Sequence, residues 1–101
     1  MNIIKIFRPE LSEQTLRTYD RELRIMREEF EEQDDFDLLM AINDISLHTL
    51  NLKHLLHKNL KKSQRNIRLA VYRNLIDIFK NDITAKHYEI LDLIILEERF
   101  K

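Results

Sequence analysis

Not one of the 101 residues is glycine, and Pro9 is the only proline. Tight hairpins need φ > 0 at the turn, which Gly and, less readily, Asn adopt at low cost. A glycine-free chain with a few Asn is therefore expected to be all-α, its helices joined by short polar connections. The same absence removes any Gly-rich loop of the phosphate-cradling kind. The length suits one domain and one core. The hydrophobic share of 44% is enough to build that core, and the charged share of 35% makes much of the surface ionic.

Cysteine is absent, which excludes disulfides, thiolate metal sites and Cys nucleophiles. No apolar run approaches the roughly 18 residues needed to span a bilayer. The apolar start, Met1 to Phe7, is too short and too interrupted by Lys5 for a secretory signal. A cytoplasmic protein with no membrane partner is expected.

Periodicity divides the chain further. Residues 1–10 form an apolar arm that Pro9 ends, and residues 11–101 form a single helical domain. Ser12 is placed to cap a helix in which Leu16, Tyr19, Leu23, Met26 and Phe30 recur at steps of three and four, running to about Glu32. A short helix over Phe36–Ile42 follows, and then an Asn43-Asp44 turn. Ser46 is expected to cap a third helix ending near Leu60, Ser63 a fourth carrying Ile67, Val71, Leu75 and Phe79, and Thr84 a last one over Ala85–Arg99. That last helix is apolar nearly all round, so it should be either central or covered by another chain. The expected architecture is a compact bundle of four to five short helices.

Charge is unevenly distributed. The net charge is only −1, but residues 20–44 hold ten acidic and three basic side chains, and residues 45–76 hold seven basic and none acidic. The basic block consists of Lys53, Lys58, Lys61, Lys62, Arg65, Arg68 and Arg73. It spans the end of one expected helix and the start of the next, where amide donors and cations together suit phosphate. Gln64 and Asn66 add neutral donors that could reach base edges. The competing reading is a solvated face, or internal pairing with the acidic block at residues 28–37.

Other constellations are weaker. His54 and His57 stand at i and i+3, but no third metal ligand lies near them in sequence. The acidic block lacks the alternation and the Gly of a calcium loop. No nucleophile has an orienting base in its local sequence. Neither a cofactor, a metal nor a catalytic residue is assigned, and no enzyme is expected.

Ser12-Glu-Gln-Thr15-Leu-Arg-Thr-Tyr19-Asp-Arg-Glu22-Leu23-Arg-Ile-Met26 resembles the opening helix of the core-binding (SAM-like) domain of tyrosine recombinases, the phage integrases. Thr15, Tyr19, Glu22, Leu23 and Met26 occupy that family's pattern positions. The run from Ser63 to Phe79 is similar to the family's later helix, although the Asn-Pro that often follows is Asn81-Asp82 here. The likeness covers roughly residues 11–81 and does not reach the catalytic Arg, His and Tyr. It implies a SAM-like bundle that grips double-stranded DNA without catalysis, as an excised piece of a recombinase or a stand-alone relative. The alternative is a small helical protein-binding module or a phage or mobile-element effector, acting by protein-protein interaction or as a homodimer through the last helix, with Ile90, Leu93 and Ile94 at the contact.

Overall fold

The computed structural model describes residues 3–44, 46–57 and 59–99. Among them six α-helices follow one another: α1 (Ile3–Phe7), α2 (Glu13–Glu29), α3 (Asp35–Ile42), α4 (His48–His57), α5 (Lys62–Ile78) and α6 (Ala85–Arg99). A 3-10 turn at Lys80–Asp82 joins the last two, and the described residues contain no strand. The all-α bundle expected of a glycine-free chain is the fold observed.

Local capping chemistry explains several boundaries. Ser12 is extended, and its hydroxyl accepts from the Thr15 amide at 3.1 Å, as expected for the start of α2. Asp34 caps α3 by accepting from the Asp37 amide at 2.8 Å. Its negative charge is also the main reason that the Asp37 carboxyl is raised above its ordinary pKa. Thr84 caps α6 through the His87 amide at 3.2 Å. Two expected caps are corrected. Ser46 donates its own amide and hydroxyl to Asp44 Oδ1, at 3.0 and 2.6 Å, so Asp44 closes that turn and α4 begins at His48. Ser63 lies inside α5, whose N-cap is Lys61 with no side-chain cap bond.

Without glycine, other residues take the left-handed conformation; among the described residues these are Glu31 at φ 56° and Asn59 at φ 53°. At the end of α2, the Glu32 amide donates to Arg27 O at 2.9 Å and the Glu31 amide to Glu28 O at 3.2 Å. These two bonds form a Schellman closure, in which the left-handed position usually belongs to Gly. Helix α2 therefore stops at Glu29, three residues short of the expected end.

The N-terminal arm is also corrected. Ile3–Phe7 is a short helix packed on α2 and α5, and Ile4 is fully buried. The arm joins the core through Ile4, with Ile3 packed against it, whereas Ile6 and Phe7 are exposed.

Helix α5 is the centre of the fold, touching α1, α2, α3, α4 and α6. It contributes Leu69, Val71, Tyr72, Leu75 and Ile76 to the core. Leu23 and Met26 of α2, Leu38, Leu39 and Ile42 of α3, and Leu55 and Leu56 of α4 pack around them. The Tyr72 hydroxyl is sealed inside and donates to Asn43 Oδ1 at 2.5 Å. Helix α6 is peripheral. It packs on α5 through Leu91 and Ile95 and leaves its far side open.

Candidate functional sites

The three arginines of the basic block each pair with carboxylates of this chain, Arg65 and Arg68 buried and Arg73 partly exposed. Arg68 sits one turn and a half into α5, with its side chain 1% exposed. Its Nε donates to Glu22 Oε1 at 2.6 Å. Nη1 and Nη2 form a fork on the Glu29 carboxylate at 2.8 and 3.1 Å, and Nη1 also donates to Leu55 O at 2.9 Å. One guanidinium therefore ties α5 to α2 and α4. Burial is the largest single influence and works against its charge, but the hydrogen bonds it donates to Glu29 and Glu22, together with their negative charges, outweigh burial and hold its pKa above the ordinary value. Gln64 extends the cluster, its amide reaching Glu22 Oε1 at 3.4 Å.

Arg65 and Arg73 bind α6. The Arg65 guanidinium is buried and donates to Glu98 O at 2.7 Å, with the Glu98 carboxylate at 3.6 Å. A cation on the last carbonyls of a helix satisfies free acceptors and complements the helix dipole. Arg73 pairs with Asp92 and with Asp77, the latter at 3.4 Å, and lies over the Tyr88 ring. Tyr88 in turn donates to Asp77 at 2.5 Å.

The proposed set of phosphate contacts therefore shrinks. Arg68 cannot reach a phosphate without leaving two carboxylates behind, and Arg65, Arg73 and Gln64 are engaged in fastening helices. Lys53, Lys61, Lys62 and Asn66 are exposed, whereas Lys58 lies outside the described residues. Lys61, Lys62 and Ser63 surround the uncapped start of α5. His57, one turn after Lys53, lines a surface depression together with Lys62 and binds Glu98 at 3.1 Å. The two histidines at i and i+3 diverge: His54 packs edge-on against Phe30, and His57 turns to α6.

A second surface lies on α6. Ile90 is 47% exposed, Leu93 64% and Leu96 50%, whereas Ile94 is half-buried. Sequence reasoning picked out Ile90, Leu93 and Ile94 but missed Leu96. The side of a nearly uniform apolar helix that faces outward depends on which side α5 covers. Beside Ile90, a groove of about 520 Å³ separates the starts of α4 and α6, with Asn43, His48, Thr84 and His87 among its walls. Asn43 Nδ2 and His48 Nε2 are buried without a hydrogen-bond partner among the described residues.

Comparison of the chain with protein-family models, with curated proteins and with solved structures yields no match. Residues 12–26 and 63–79, the two segments singled out in the sequence, fall largely within α2 and α5.

Proposed function

We propose that the chain is a small helical interaction module that associates with itself through the outer face of α6. The observation carrying this reading is the row of exposed aliphatic side chains, Ile90, Leu93 and Leu96, on a helix whose opposite side is packed. Burying such side chains between two copies supplies the driving force, at about 25 cal/mol per Å² of apolar surface removed from water. The basic block, the strongest rival signal in the sequence, has Arg65 and Arg68 buried against carboxylates of this chain and Arg73 paired with Asp92 nearer the surface. Sedimentation velocity over a concentration series tests the proposal. Self-association should survive 1 M salt, a condition under which exposed ionic contacts are screened within about 3 Å. Leu93→Asp should abolish it with unchanged helix content by circular dichroism. A wild-type protein that stays monomeric, or a dimer indifferent to Leu93→Asp, refutes the reading.

A second reading, a non-catalytic DNA-gripping domain of the recombinase type, is supported by the uncapped start of α5 with exposed Lys61, Lys62, Ser63 and Asn66, and by Lys53 on α4. Three lysine–phosphate contacts give a log–log salt slope of about −3. Fluorescence anisotropy with duplex DNA at low salt measures it, and a flat response removes this reading.

A further inference from the structure

Lys86, Ile90, Leu93 and Glu97 stand at i, i+4, i+7 and i+11 and form one stripe about 16 Å long on α6. All four side chains are exposed, and Lys86 and Glu97 have no ion-pair partner among the described residues. The stripe is apolar in the middle, cationic at its N-terminal end and anionic at its C-terminal end. That order is self-complementary in only one orientation. Turned end for end, a second copy sets its own Glu97 opposite Lys86 and its own Leu93 opposite Ile90. Each of these contacts occurs twice by symmetry, as an isologous two-fold interface requires. In a parallel pair Lys86 would face Lys86 and Glu97 would face Glu97, so the same charges that favour the antiparallel pair oppose the parallel one.

We propose that two copies of this chain pair antiparallel along α6, with Ile90 and Leu93 packed in the centre and Lys86 bound to the second copy's Glu97 at each end. The proposal rests on the self-association reading above and adds its partner orientation and register. The apolar centre provides affinity, and the end charges set direction, because exposed ion pairs contribute little energy individually. A single helix pair buries less than the roughly 800 Å² per partner of a standard interface, so the dimer should form with a dissociation constant in the micromolar range.

Sedimentation equilibrium on wild type, Lys86→Glu, Glu97→Lys and the double charge swap tests the arrangement. Each single variant turns two attractions into two repulsions and should weaken the dimer on the order of tenfold. The double swap restores opposite charges across the antiparallel pair and should return the constant to within about twofold of wild type. Persistent weakness in the double swap overturns the antiparallel register. If the dimer still dissolves with Leu93→Asp in that case, self-association through α6 stands without this geometry. A wild-type chain that remains monomeric up to about 1 mM overturns both.

Discussion

Replacing Arg68 by Met asks whether the cationic middle of the chain is internal framework. Met retains much of the aliphatic stem and removes the charge, so the effect isolates the ionic cluster. Glu22, whose side chain is 4% exposed, is left with the Gln64 amide at 3.4 Å as its remaining side-chain donor. The Leu55 carbonyl loses its 2.9 Å donor. Glu29 is 29% exposed and can be rehydrated, so most of the cost falls on Glu22. Removing one partner of a buried pair costs about 3–5 kcal/mol, against a total of about 5–15 kcal/mol for a domain. The expected fall in melting temperature is roughly 15–30 °C. Urea unfolding followed by circular dichroism measures the loss. The companion variant Arg68→Met/Glu22→Leu removes both charges and should recover most of it, because apolar replacements of a buried ion pair are often neutral or better. A single variant within about 1 kcal/mol of wild type, or a double variant no better than the single, would refute the view of Arg68 as the fastener of α2, α4 and α5.

Two other perturbations follow from backbone and burial. Glu31→Gly removes the Cβ from a left-handed position at φ 56° and should stabilise the protein by about 1 kcal/mol, visible as a melting temperature higher by roughly 4–8 °C. An unchanged or lowered value would contradict the Schellman closure. Burial pushes the Tyr72 phenol far above its ordinary value of 10. Above pH 10 the unfolded chain therefore releases a proton that the folded protein retains, and stability falls as pH rises, by about 1.4 kcal/mol per pH unit. Below that pH the group contributes no slope. Tyr72→Phe should flatten the alkaline part of a urea-stability profile, and an identical slope in both proteins would show that the phenol is not protected.

How much was legible in the sequence varies with how local the cause is. The caps at Ser12 and Thr84 depend on an oxygen and an amide three residues apart, and both were readable from spacing. The turn at Asp44 and the start of α5 were misjudged, because several adjacent residues could serve and the flanking geometry chooses among them. The end of α2 was missed because nothing about Glu31 advertises a left-handed backbone. Arg68 was legible as a cation but not as a buried one. Its carboxylate partners lie 46 and 39 residues away, in a helix already past when the basic block begins. The partners of Arg65 and Arg73 lie 33 and 19 residues further on, in α6.

Helix content and most of the apolar positions were determined by the sequence alone, since the lack of glycine and the 3.6-residue period act within a few residues of chain. Tertiary structure decided which helix is central and which charges are spent. By its apolar residues α6 was expected either to be covered by another chain or to take the central place. Instead α5 fills that place, because its arginines can be buried where α2 and α6 bring carboxylates and carbonyls to meet them. The same packing leaves α6 with an apolar side facing outward. Burial and ion pairing depend on distances in space, and only the packed helices set those distances.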